Sequence, residues 1–307
     1  MPLAVEAPAQ RNTRAAARFA CITLGFFILV VLWGAVVRAT GSGGGCGRNW
    51  PLCNGDFFPH HPRLATIIEF AHRSTSGICT VLDLTLILWT FRVTTRGHRA
   101  RKAVLWSAVF LILEAGLGAV LVLRHYVEDN ISTGRVFMQG LHFTNTLLLM
   151  AALALTARYL VSQQPEAFNP ASRVVALLAI ISTIFVGATG ALAALADTLF
   201  PSPTFRAAIA ADFARTSPLL VRMRWMHPAS AIIAFVFICL LIRLNARARP
   251  LLLTTLFLQF GLGIADVFLL APTWMQVLHL LGADIFWITL TVVAADSIFP
   301  TRKSAQT

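Results

Sequence analysis

Charge is what this chain has least of. Asp, Glu, Lys and Arg make up 12% of its 307 residues, only 13 residues are acidic, and 57% are hydrophobic. A soluble domain of this size could not hide so much apolar surface, so the composition excludes one and makes the bilayer the solvent. Alternation of apolar and polar residues is also missing. The apolar runs are continuous, which excludes a transmembrane barrel and leaves helices. No small-residue cleavage site follows the first apolar run. That run is too long and too lightly flanked for a cleavable signal peptide and reads as a retained helix.

What is present is a series of apolar windows long enough to span a bilayer as helix, which takes roughly 20 residues. Eight qualify, at about 17–40, 64–91, 103–123, 137–160, 173–196, 225–244, 250–271 and 273–297. The longer connections, Gly41–Pro62, Arg124–Val136 and Asp197–Arg222, fall on one side of the membrane.

The basic residues fall unevenly about these windows. With the N-terminus inside, 15 collect on that side: Arg11, Arg14, Arg18, Arg92, Arg96, Arg99, Arg101, Lys102, Arg158, Arg173, Arg243, Arg247, Arg249, Arg302 and Lys303. The outer side and its helix ends hold 10. The excess lies in short loops, which predicts cytoplasmic termini and a multi-pass protein of the cell (inner) membrane. The net charge of +12 is then an orientation signal and a contact with anionic lipid, not a nucleic-acid footprint.

The two halves of the chain echo each other. Ala39-Thr40-Gly41 at the end of the first span matches Ala188-Thr189-Gly190 in the fifth, and Glu114-Ala115-Gly116-Leu117-Gly118 in the third matches Gln259-Phe260-Gly261-Leu262-Gly263 in the seventh. His72 and His227 lie in the second and sixth spans, and Leu141-His142 and Leu278-His279 in the fourth and eighth. The same order in both halves predicts a duplicated four-helix unit with parallel repeats. The expected fold is all-α, eight transmembrane helices as two pseudo-symmetric four-helix bundles, residues 1–160 and 161–307.

Those four histidines carry the chemistry. Each sits a turn or two inside the outer end of an inward-running helix, about 3–12 Å deep at about 1.5 Å per residue. Lipid gives an imidazole no reason to be there unless it is bonded, ligating or functional. A pair facing inward within each unit can clamp one planar porphyrin between axial nitrogens. Carboxylates are too few nearby for zinc or non-heme iron. His60, His61, His98 and His125 fall in loops or at edges and read as surface residues.

The halves differ in one respect. Glu69 precedes His72 by three residues and shares its helix face, whereas Arg224 stands at the equivalent position before His227. A buried acid beside a porphyrin edge could hand a proton on during oxidative chemistry. The alternative is a structural pairing with Arg73 or Arg38. The first half, with His72 and His142, therefore reads as the reactive site, and the second, with His227 and His279, as the site of a permanent cofactor. Arg38, Arg73, Arg222 and Arg224, near the outer helix ends, are candidates for propionate contacts, with interfacial snorkelling as the other reading.

The first outer loop, Gly41 to Gly55, contains Cys46 and Cys53 on the side of the membrane where a pair can be oxidised. A disulfide is expected, as a staple or as an electron-exchanging pair. Cys21, Cys79 and Cys239 lie in apolar helices and read as small core residues.

Together, the Cys46–Cys53 loop with Trp50-Pro51-Leu52-Cys53-Asn54-Gly55, the segment Ile68-Glu69-Phe70-Ala71-His72-Arg73 and the single histidines of spans four, six and eight resemble the heme A synthase family over essentially the whole chain. The resemblance implies a membrane enzyme that oxidises the methyl group of heme O to the formyl group of heme A for terminal oxidase assembly. It implies a conversion by successive hydroxylation of that methyl and loss of water from the geminal diol. It implies that His72 and His142 hold the heme O substrate with Glu69 essential nearby, that His227 and His279 ligate a resident heme b, and that the heme O-producing farnesyltransferase is a partner. Some members carry a second cysteine pair between helices 5 and 6; Asp197–Arg222 has none. A diheme b-type electron-transfer cytochrome would use the same ligands without needing Glu69. The electron donor and the oligomeric state, a homo-oligomer included, stay open.

Overall fold

The computed structural model describes residues 8–161, 170–244 and 249–298, without the side chains of residues 8–11, 249 and 296. The chain ends lie outside the described residues. So do Arg247, Arg302 and Lys303 and the side chains of Arg11 and Arg249, on which part of the orientation argument rests.

Among the described residues ten α-helices follow one another: α1 (Pro8–Ala39), α2 (Leu64–Val93), α3 (Arg99–Leu123), α4 (Thr133–Val161), α5 (Pro170–Leu199), α6 (Phe205–Phe213), α7 (Leu219–Arg222), α8 (Met226–Leu244), α9 (Arg249–Phe268) and α10 (Thr273–Ile298). Among the described residues the β-structure is a single isolated bridge, Cys53 to Asp56. Among the described residues eight helical segments are long and apolar enough to cross a membrane, the sixth combining α7 and α8 over Leu219–Leu244. The chain is a multi-pass α-helical membrane protein. Helix is the required solution, because hydrocarbon offers no partner to a free backbone N–H or C=O.

The spans are mostly longer than the hydropathy windows, since polar and basic turns at their ends are helical too. The outer connections shrink accordingly. Asp197–Arg222 is largely helix, containing the end of α5, all of α6 and α7, and Arg124–Val136 gives up its last residues to α4. The seventh span goes the other way and stops at Phe268, where Leu270 and Ala271 take positive φ ahead of Pro272.

Side-chain size sorts the helix faces. Ile22, Leu29, Ile112, Ile181 and Phe257 are exposed toward lipid, while Ala16, Ala20, Ala176 and Ala179 are fully buried where helices meet. Small residues there let backbones approach closely, the main source of association energy without a hydrophobic drive. One buried cluster joins α1 to α4 with Trp287 of α10, and a second joins α5, α8, α9 and α10.

The helices α4 and α10 form the centre. Of their most apolar stretches 56% and 44% are buried, against at most 28% in any other span. The Trp287 indole N–H donates to the Leu147 carbonyl at 2.7 Å and ties the two together. Nearer the outer side, Arg38 of α1 donates to Ala194 O (2.6 Å) and Thr198 Oγ1 (2.5 Å) on α5 and to Gln276 Oε1 (2.7 Å) on α10.

Candidate functional site

Each of the four histidines lies against a glycine on the preceding long helix. A Cβ on Gly34 would stand 3.1 Å from His72 Cε1, on Gly118 3.9 Å from His142 Cε1, on Gly190 2.9 Å from His227 Cε1, and on Gly263 3.0 Å from His279 Cε1. These contacts correct the repeat register. The counterpart of Gly190 is Gly34, not Gly41, which lies in the turn after α1 with φ +63°. The histidine layer is also more even than the windows imply. Counted from helix starts at Leu64, Thr133, Leu219 and Thr273, the four lie about 9–14 Å along their spans at about 1.5 Å per residue.

In the second half the rings of His227 and His279 lie edge to face, with centroids 6.2 Å apart and planes at 80°. His227 Nδ1 stands 3.1 Å from the Val186 carbonyl oxygen. A carbonyl can only accept, so Nδ1 holds the proton and Nε2 keeps its lone pair for a ligand. An imidazole nitrogen about 2 Å from a metal puts its ring centre about 3 Å away, so two rings on opposite sides of one ion stand about 6 Å apart. No group of three or more His, Cys, Asp or Glu is placed to hold a metal ion among the described residues. Two opposed imidazoles without a third protein ligand suit an ion that brings its own planar ligands, as heme iron does.

Because Val186 pins the ring, Gly190→Ala cannot be absorbed by a free swing of His227. We expect it to cost about 1–3 kcal/mol through overpacking and to lower the heme content of the purified protein. Unchanged melting and unchanged heme would refute the cradle.

In the first half, His142 Nδ1 lies 3.5 Å from Glu114 Oε1 on α3. Among the described residues no ring contact as close as that of His227 and His279 joins His142 to His72. Buried Nδ1 atoms of both His72 and His142 have no hydrogen-bond partner among the described residues.

Glu69 is buried on α2 and committed to the outer loop. Its Oε2 accepts from the Cys46 backbone N–H at 2.7 Å, and its Oε1 accepts from Arg73 Nη2 at 2.5 Å and Nε at 3.1 Å. Arg73 continues into the loop, donating to Asn49 O (2.6 Å) and Leu52 O (2.8 Å). Cys46 and Cys53 form the disulfide, S–S 1.98 Å. The loop also presses on α2 at Gly45, whose Cβ would come within 2.5 Å of the Ala65 carbonyl. Glu69 thus pairs with Arg73 rather than Arg38, and ties loop to helix.

Arg224 takes the equivalent place in the second half with charges reversed. It is held by Asp197 at 2.8 Å and Asp212 at 2.7 Å, with Ala208 O accepting at 3.1 Å. Of the four arginines singled out from sequence, Arg38, Arg73 and Arg224 are engaged by protein acceptors, and Arg222 is exposed.

Sequence reasoning gave no role to Glu114 and Gln259, although both stand in the repeated segments. Gln259 Nε2 lies 3.3 and 3.4 Å from the ring nitrogens of His279, as Glu114 lies beside His142. The signal was there: each residue precedes its cradle glycine by four positions, one helical turn. Asp284 on α10 was missed as well. It is fully buried, and neither carboxyl oxygen has a hydrogen-bond partner among the described residues.

Eight apolar spans among the described residues, four of them carrying a histidine packed on a glycine of the preceding long helix, define a polytopic helical membrane protein. Comparison with known proteins narrows this. Residues 17–291 match the COX15-CtaA family, described as cytochrome oxidase assembly protein, and the chain belongs to that family, the family of the heme A synthases. A Thermus thermophilus protein named protoheme IX farnesyltransferase is 38% identical over 282 residues, covering 88% of this chain and 46% of its own length. A heme A synthase of Geobacillus kaustophilus is 35% identical over 154 residues, 50% of this chain and 46% of that protein. A heme A synthase of Bacillus licheniformis is 40% identical over 134 residues, 44% and 41% of the two chains. The chain spans less than half the length of each of these relatives.

Proposed function

We propose that this protein is a heme A synthase, oxidising the methyl group of heme O to the formyl group of heme A within the outer part of a cell (inner) membrane, with both termini cytoplasmic. The observation that carries the reading is the repeated pairing of intramembrane histidines with cradle glycines, seated in a chain of this family. Residues 1–160 form the substrate half, with His72 and His142 as ligands of heme O and Glu69 as the acid beside them. Residues 161–307 form the second half, with His227 and His279 holding a heme b.

Heme b, when bound, supplies a one-electron couple next to the substrate half. The chain's own residues do the rest. The Val186 carbonyl holds His227 in the tautomer with Nε2 free. The Glu69–Arg73 pair ties the Cys46–Cys53 loop to the outer end of α2 and keeps a carboxyl at hand to move a proton. Of the four arginines near the helix ends, the exposed Arg222 is the one left for a heme propionate, the other three being engaged by protein acceptors.

The Thermus relative is named for farnesyl transfer, and this chain corresponds to 46% of it. We read this chain's counterpart as the part of that protein other than the transferase. A heme O-producing farnesyltransferase is then the natural partner here.

Co-expression of the full chain with a heme O source, followed by chromatography of extracted hemes, tests the assignment. Heme A is the expected product. Heme B alone, with heme O supplied and left unconverted or absent from the protein, would sink it in favour of a diheme electron carrier. Heme O formed by this chain from protoheme without that source would assign it farnesyl transfer instead.

A further inference from the structure

We propose that Glu114 is a positioning residue for His142, an anion that gives the first site an electronic character the second site lacks. The inference rests on the reading that His72 and His142 hold the heme substrate.

Glu114 and Gln259 stand in one register, each a helical turn before the glycine that abuts the second histidine of its pair. Their surroundings differ in a coordinated way. The Glu114 carboxylate accepts from Asn145 Nδ2 at 2.6 Å and from the Thr146 hydroxyl, and His142 Nδ1 lies 3.5 Å from it. Asn145 is itself anchored to the Phe110 carbonyl at 2.8 Å and is buried. Asn145 and Thr146 both donate to this carboxyl group, one to each oxygen.

In the second half the positions equivalent to Asn145 and Thr146 are Gly282 and Ala283. Neither side chain can donate. Gly282 instead leaves room for the Gln259 side chain, whose Oε1 would stand 2.6 Å from a Cβ there. The acid comes with its two donors, and the amide comes with the space they vacate. That co-occurrence separates a built site from a stray charge on a membrane helix.

An anion 3.5 Å from Nδ1 favours the proton on that nitrogen, which would leave the Nε2 lone pair for the ligand. It also raises the basicity of the ligating nitrogen, as carboxylate partners of metal-bound histidines do. Both side chains are only partly exposed, so the charge would be less screened there than in bulk water. A neutral amide beside His279 does neither to the same degree. An iron centre on His142 is therefore harder to reduce than it would be with an amide at position 114.

Spectroelectrochemical titration of the full chain with both sites loaded with heme tests this. The two midpoints are assigned by their selective loss in His142→Ala and His279→Ala. Glu114→Gln should raise the first midpoint by about 59 mV or more, a tenfold change in the reduced-to-oxidised ratio for one electron, and leave the second in place. Gln259→Glu should lower the second midpoint. A purely structural tie between α3 and α4 would move neither. Unchanged midpoints in heme-loaded Glu114→Gln overturn the proposal while leaving the functional reading intact. If that variant does not fold, a second midpoint that fails to fall in Gln259→Glu overturns it. A wild-type first site that takes up no heme removes the substrate-site reading and this inference together.

Discussion

Glu69→Gln is expected to lower heme A formation about 10²–10⁴-fold, the range for loss of a positioned acid or base, in a chain that keeps the heme of its second half. Two physical routes lead to that loss. The carboxyl itself could move a proton at the substrate. Or it could act by holding the Cys46–Cys53 loop, because its two oxygens take the Cys46 N–H and the Arg73 guanidinium. Glutamine serves only one of these donors and turns its NH₂ toward the other, so the substitution also leaves a buried cation half-paired, at about 1–3 kcal/mol. Arg73→Met separates the routes. It keeps the acid and removes the contacts to Asn49 O and Leu52 O that fix the loop. If Glu69 works only through the loop, both variants lose conversion alike, both lower the melting temperature, and the double variant is no worse than either. If the acid acts in its own right, Glu69→Gln falls well below Arg73→Met. Normal heme A formation in Glu69→Gln would end any role for it in the reaction.

The eight spans were legible because a membrane helix must be apolar over its whole length, and continuous runs show in one dimension. The end of α9 was less so, since Leu270 and Ala271 adopt positive φ without the glycine or asparagine that usually marks it. The disulfide followed from two cysteines in one outer loop. The four histidines stood out because apolar surroundings make each conspicuous. Their glycine partners did not, because contacts such as Gly34 with His72 join residues on different helices. Matching by tripeptide identity then chose Gly41, which a turn removes from the helix altogether. Glu114 was visible as a repeated position, yet its meaning depends on Asn145 and Thr146, one helix further on. The arginines are the converse case. Their places near the outer ends suggested anionic ligands. Yet a buried guanidinium must be satisfied within the protein, and Arg38 and Arg224 find carbonyls, a hydroxyl and carboxylates there.

His227→Ala should deplete the second-half heme, and by more than the about 10–100-fold in affinity that loss of an outer partner of a metal ligand costs. On that reading His279 would be left as the single protein ligand, without the ring 6.2 Å away. The hollow against Gly190 that accommodates the imidazole is left empty. Such a hollow is the right shape for free imidazole, so adding imidazole to the purified variant should restore heme binding and its six-coordinate spectrum. The same addition should do little for Gly190→Leu, where the space itself is filled. His72→Ala should behave differently from His227→Ala, retaining the second-half heme while losing heme O. A normal heme b content in His227→Ala, measured by pyridine hemochrome, would refute the assignment of the second site. Loss of both hemes in both variants would show instead that neither half holds its group independently. The central contact of α4 with α10, through Trp287 and Leu147, would then be the place to look for the coupling.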